Sequence, residues 1–312
     1  MTLEARPYAS AMQAEWNALN ARARNGHFMF DRGFMEYHAD RFEDASLAVF
    51  EDAQMVAIIP ANRAGDDVYS HQGLTFGGLV TEILRTTDVM AALEACASCW
   101  RGSGATQLIY KAAPWIYHRR PAQEDLYWLF RRGAHLESRL SGAAVLLDAP
   151  GELTRRRRRG VARASAAGLV FARSDRLGDF WRLLAEVLSE RHDANPVHTL
   201  AEMQLLADRF PDQIQLHTAE LDGEVLAGVL LFASAPVIRA QYIAAGAAGR
   251  ESGALDGLFA HLLTASWPGA RAFDFGASNR DGGRVLNEGL IRQKEEFGAS
   301  GVAYDTYKVD LG

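Results

Sequence analysis

The sequence predicts a mixed α/β fold, an α+β mixed sheet flanked by helices, built as two tandem copies. Three observations carry that expectation. The run Ala39-Asp40-Arg41-Phe42 returns as Ala207-Asp208-Arg209-Phe210. Each copy closes a helical pattern and is followed by two apolar strand-like runs around an acidic turn. Beyond the two hairpins the same order of elements follows in both halves, as a long-period repeat would give.

In the first half, SLAVFEDAQMVAIIPANRA reads as strand, acidic turn and strand. A glycine-rich segment over 71–78 comes next, then a helix over 88–100, a strand over 107–111, a helix over 123–132 and a strand over 143–147. Within that stretch Trp115, Tyr117, Tyr127, Trp128 and Phe130 read as core aromatics. Pro150-Gly151 then interrupts the pattern, and five consecutive arginines, Arg155 to Arg159, lead into an alanine-rich helix. The domain boundary is placed there, giving 1–149 and 150–312. The second half supplies IQLHTAELDGEVLAGVLLFASA with Asp222-Gly223 as its turn, glycine-rich 246–253, a helix over 255–267, a strand over 272–275, a helix over 284–297 and a strand over 302–309.

Composition narrows the function classes. At 312 residues and 48% hydrophobic content the chain can bury two ordinary cores. A formal charge of −6 removes any global attraction for nucleic acid or an anionic membrane, so such contact must be local. Cys96 and Cys99 lie three apart in one helical pattern with no second pair to complete a zinc site, and helix packing is the expected role. The N-terminus lacks a basic stretch followed by an apolar run, and the longest apolar stretch, 225–238, is too short for a bilayer. A cytoplasmic protein without a membrane span is expected.

The order of hairpin, strand, crossover helix, strand, helix and strand resembles the GNAT fold in both halves. In that fold a glycine-containing turn before a helix holds the pyrophosphate of an acyl-CoA through exposed N–H groups. The matching turn here contains Arg250-Glu251-Ser252-Gly253-Ala254-Leu255, so Arg250, Gly253 and Ala254 are the donor-binding candidates. Leu255 stands where the signature has a small residue. HQGLTFGGLV in the first half offers glycines but no Arg or Lys.

Further residues carry a family resemblance over most of the chain: RRRRRGVARASAAGLVF, FWRLLAEVLSERH with PVHTLAEMQLLADRFPDQIQL, FDFGAS and GLIRQKEEFGA. They resemble the FemAB-like and Acetyltransf-6 GNAT proteins. The resemblance implies either an aminoacyl-tRNA donor, as in the Fem peptidyltransferases that build peptidoglycan precursors, or an acyl-CoA or acyl-carrier donor. The acidic net charge with its small basic patch favours acyl-CoA or an acyl carrier, with aminoacyl-tRNA as the alternative. It also implies that Lys294 lies near the reacting carbonyl, where a cation would stabilise the oxyanion of a tetrahedral intermediate by about 3 kcal/mol.

Amide formation also needs a place for the amine proton. Asp274, in the FDFG strand, is the candidate, with capping of the next turn as its other reading. His192 and His198 flank Asp193-Ala194-Asn195-Pro196 and suggest a loop facing the acceptor, while Tyr242 and His71 are placed to line a cleft or to pack. Arg155 and Arg158 offer guanidinium forks to a phosphate-bearing donor or an anionic acceptor such as a sugar nucleotide, or else form a solvated helix face. The His192–His198 spacing fits no metal site, and no G-x-S-x-G elbow is present. The expected function is transfer of an acyl or aminoacyl group to an amine of a cell-envelope precursor or specialised metabolite, with a small-molecule, sugar-nucleotide or peptide acceptor. The alternative is a GNAT-like module that only binds a ligand.

Overall fold

Two hairpin turns set the frame. Asp52 and Asp222 both hold positive φ, 52° and 50°, the conformation a tight turn imposes and that aspartate tolerates better than most side chains. The first turn joins strands Leu47–Glu51 and Gln54–Ile59, and the second joins Ile214–Leu221 and Glu224–Ser234. Both hairpins therefore stand where the sequence puts them.

The computed structural model describes residues 3–83, 85–192 and 196–312, and the backbone alone of Arg191 and His192. The role expected for the His192 side chain thus lies outside the described residues. The chain forms two compact units, Met1–Ser141 with Asn279–Val285 and Ala303–Gly312, and Gly142–Ser278 with Leu286–Val302. The position 149/150 falls within the second, ahead of helix Arg155–Ala166.

In the first unit, strands Leu3–Pro7, Leu47–Glu51, Gln54–Ile59 and Val80–Thr81 pair antiparallel in that order. Gln107–Lys111 runs parallel to Asp67–Tyr69 and antiparallel to the 306–310 end of Ser300–Asp310. Helix Thr86–Gly102 sets Val89, Leu93, Cys96 and Trp100 on one stripe, at helical spacing, against Val49, Ile59 and Leu108. Cys96 is part of this core and Cys99 lies at its edge. Burial pushes both free thiols above their ordinary range, which suits packing and not redox exchange. The aromatic run is only partly core: Tyr117 and Trp128 are buried, but Trp115, Tyr127 and Phe130 are exposed. Tyr127 and Phe130 lie three apart on the outer face of helix Glu124–Arg131, whereas Trp128 and Leu129 point inward.

In the second unit the strand order is Val170–Ser174, Ile214–Leu221, Glu224–Ser234, Val237–Ala245, Ala272–Ala277 and the 142–146 end of His135–Leu146. All neighbours are antiparallel except Val237–Ala245 with Ala272–Ala277, which run parallel. Their crossover carries helices Ala247–Ser252 and Ala254–Thr264, as a parallel pair requires. Residues alternate between the two faces of the sheet. On one face, Ala164 of the arginine helix with Leu258, Phe259 and Leu262 packs against Ala219, Val229, Leu231 and Phe273. Helices Leu177–His192 and Leu200–Arg209 cover the other, with Phe180 so close over Gly228 that a Cβ there would lie 2.4 Å from its ring.

Candidate active site

The parallel pair is short. Val237 faces Ala272, Ile238 faces Phe273 and Arg239 faces Asp274, and the pairing ends there although both strands continue. Backbone that leaves its neighbour must find other partners, and the side chains around this point supply them. Asp274, fully buried, accepts the Gly276 N–H on Oδ1 at 2.7 Å and Arg239 Nη1 on Oδ2 at 2.6 Å. Arg239 Nε donates to Gln241 Oε1 at 3.1 Å. Gly276 holds φ +74°, and a Cβ on it would lie 3.1 Å from Arg239 Nη2. The positive φ favours glycine, and any larger residue would also press on the Arg239 guanidinium.

Lys294 closes the turn from the other side. It lies in the last turn of helix Glu288–Glu295, whose first turn is capped by Asn287 accepting the Leu290 N–H. Its Nζ donates to the Gly276 and Ala277 carbonyls, each at 2.8 Å, and the side chain is only 5% exposed. An ammonium has three N–H donors, and the described residues engage two of them. Burial lowers the Lys294 ammonium to about 8, with Asp274 opposing that shift and Arg239 adding to it. One residue further along, the buried Ser278 hydroxyl has no hydrogen-bond partner among the described residues.

A β-bulge extends the site along Val237–Ala245. Leu231 pairs with Ala240 but Leu230 pairs with Tyr242, which leaves Gln241 as the extra residue. Leu231 and Ala240 belong to the core beneath Ala254–Thr264, so Tyr242 lies on the opposite face, where the Gln241 side chain also meets Arg239. Tyr242 Oη lies 2.5 Å from His198 Nδ1 and accepts the His198 N–H at 3.4 Å. Trp181 meets the Tyr242 ring edge-on at 5.1 Å. Two of the candidate residues, His198 and Tyr242, are thus one bonded pair, on the strand face that carries the polar row of Gln241, Arg239 and Asp274.

The expected donor residues are arranged differently. Residues 247–252 form a six-residue helix where the sequence suggested an open glycine-rich turn. Arg250 Nη1 donates to the Ala245 carbonyl at 2.8 Å, and Ala254 is fully buried. Gly253, at φ +76°, approaches the arginine helix so closely that a Cβ on it would lie 2.5 Å from the Gly160 carbonyl oxygen. The arginine helix is pinned by Arg157, which donates to Asp256 at 2.6 Å, pairs with Glu296 at 2.9 Å and stacks over Phe297 at 4.6 Å. Arg155 and Arg158 are exposed, Arg158 donating to the Leu153 carbonyl.

His71 belongs to the first unit, buried with φ +71° and stacked on His38 at 5.3 Å. Burial lowers its imidazole to about 3. Among the described residues no group of three His, Cys, Asp or Glu side chains could hold a metal, and no helix is long and apolar enough to cross a membrane. A groove of about 710 Å³ opens on the outer strands of the second unit, between Val170–Ser174 and helix Leu200–Arg209. It contains none of the polar row, and its Arg176 is already engaged by Asp179, Glu220 and the Gly223 carbonyl.

Arg239, Gln241 and Ser278 were not anticipated from the sequence. For Arg239 a signal existed: one charged residue inside the apolar strand PVIRAQYIAA. A buried charge there needs a partner.

Residues 152–282 match the family described as "Acetyltransferase (GNAT) domain". The whole chain resembles the crystal structure of FemX, with a TM-score of 0.74 at 14% identity, covering 98% of this chain and 96% of that one. L-PGS from Bacillus licheniformis gives 0.58 at 14%, covering 85% and 83%. A tandem GNAT protein from the clavulanic acid biosynthesis pathway gives 0.51 at 12%, covering 99% of each. No curated protein sequence matches the chain. At these identities the structural likenesses establish the fold, a tandem GNAT fold.

Proposed function

We propose that this chain, whose residues 152–282 match a GNAT acetyltransferase domain and whose fold is similar to that of FemX, forms an amide. It moves an aminoacyl group from the ester of an aminoacyl-tRNA to an amine of a cell-envelope precursor or specialised metabolite. The observation that carries this reading is Lys294: a buried ammonium fixed by two carbonyls beside parting strands. Held this way, it needs no reorganisation to meet the oxyanion that develops when an amine attacks the carbonyl. Asp274 has hydrogen bonds on both oxygens, so its role is to hold Arg239 and the Gly276 turn in place for Lys294.

The packing around Gly253 supports the choice of an aminoacyl-tRNA donor. A pyrophosphate cradle needs open N–H groups at the start of the crossover helix, and here the arginine helix lies against that point while Arg250 is engaged by its own turn. The exposed arginines of the same helix, Arg155, Arg156, Arg158 and Arg159, suit the phosphate backbone of RNA. An acyl-CoA donor is the second reading, favoured by the family that residues 152–282 match.

The test uses hydroxylamine as a generic amine. Bulk aminoacyl-tRNA and acetyl-CoA are offered separately, and hydroxamate is measured by mass spectrometry above the uncatalysed rate. Aminoacyl hydroxamate from the tRNA donor, falling steeply as salt rises, is the expected result. Product from acetyl-CoA alone would reverse the choice of donor. Binding of either donor without any product would favour the ligand-binding module.

A further inference from the structure

Resting on the acyl-transfer reading above, we infer that His198 and Tyr242 are the proton-accepting pair of this site, with Tyr242 relaying the proton of the attacking amine to the His198 imidazole. An amine that attacks a carbonyl must lose a proton, and the group that takes it needs a vacant lone pair within reach. Asp274 is a poor choice: it is fully buried, with hydrogen bonds on both carboxylate oxygens. Lys294 is committed as a donor to two carbonyls. Along the same face of the strand, the next group able to accept a proton is the pair at Tyr242.

Three features of the geometry support the assignment. The bulge at Gln241 turns Tyr242 onto the face that carries Arg239, where regular alternation would have turned it to the core. Tyr242 Oη lies 2.5 Å from His198 Nδ1, within hydrogen-bond reach. The backbone N–H of His198 also points at Tyr242 Oη. The phenol oxygen accepts that N–H, and the relay uses the tautomer in which its own proton points at Nδ1 and the imidazole accepts at that atom. Burial raises Tyr242 above the ordinary phenol range and keeps the phenol protonated, as a relay requires. Trp181 closes one side of the ring.

The step balances. The amine nitrogen bonds to the carbonyl carbon as the carbonyl π electrons move onto oxygen, where the Lys294 ammonium meets them. The amine proton passes to Tyr242 Oη while the Tyr242 proton passes to His198 Nδ1, leaving an imidazolium. When the intermediate collapses, the bond from the carbonyl carbon to the carrier oxygen breaks, and that oxygen recovers the proton from the imidazolium through Tyr242. The products are an amide and a free carrier hydroxyl, and no other reactant is needed.

The hydroxylamine assay with bulk aminoacyl-tRNA tests the pair. Y242F and H198A are each expected to lower the rate about 100-fold, and the double variant should fall no further, since the two act as one unit. Added imidazole should restore about tenfold of the rate to H198A, but nothing to the double variant, which has no relay. A purely structural role would not respond to imidazole. H198Q, which keeps a polar group at this position, serves if H198A melts at a lower temperature. Singles within about threefold of wild type, in a protein that K294M inactivates, would overturn the pair and leave the acyl-transfer reading standing. A wild-type protein inactive with both donors would overturn that reading and the pair with it.

Discussion

Arg239 and Asp274 form the last cross-strand pair before two parallel strands separate, and their side chains meet at 2.6 Å with the carboxylate fully buried. The ion pair stands where the backbone ladder stops. Removing the cation leaves a buried charge without its main partner, which typically costs about 3 kcal/mol or more. R239M should therefore lower the unfolding free energy by that amount, and R239M/D274L should recover much of the loss, because the apolar pair no longer buries a charge. A double variant as unstable as R239M would show that the loss came from packing.

Gly276 makes a second prediction. Its φ of +74°, with the Arg239 guanidinium 3.1 Å from where a Cβ would stand, leaves no room for alanine without movement of Arg239. G276A should cost about 1–2 kcal/mol by chemical denaturation. It should also slow transfer, because the Gly276 carbonyl holds Lys294.

Lys294 links stability to pH. Its folded value, about 8, lies below the ordinary 10.5 because of burial. Between those values the unfolded chain holds the proton that the folded chain has lost, so stability rises with pH across that window, by on the order of 3 kcal/mol in total. Below about 8 both states are protonated, and the burial cost is fully present. Denaturation measured from pH 7 to 10.5 should show the rise in wild type and its loss in K294M. Transfer should run the other way, falling above about 8 as the ammonium is lost.

How much of this was legible in the sequence follows the range of the interactions. The Asp222-Gly223 turn and the helix at the arginine run depend on neighbours a few residues away, and each lies where expected. Lys294 and Asp274 stand out in GLIRQKEEFGA and FDFGAS. The Arg239 ion pair joins residues far apart in sequence, as does the His198–Tyr242 bond, and no local periodicity encodes either. The bulge at Gln241 inverts the face that alternation assigns to Tyr242. Residues 247–252 depart from expectation because glycine suggests a loop, while AAGRES contains enough good helix formers for a short helix.

The arginine run divides into two roles. Arg157 is buried between Asp256 and Glu296, so R157A should destabilise by about 3 kcal/mol. Arg155 and Arg159 are exposed, so R155A/R159A should leave the melting temperature unchanged. The same double variant should weaken tRNA binding and flatten its salt dependence, in filter binding at two ionic strengths.

The most direct measurement compares the amide-forming rate of wild type, K294R and K294M at pH 7. A preorganised oxyanion stabiliser predicts that K294M falls about 100-fold or more, while K294R, still cationic, retains part of the rate. Equal rates for K294M and wild type would contradict the account, because the buried ammonium would then have no share in the chemistry.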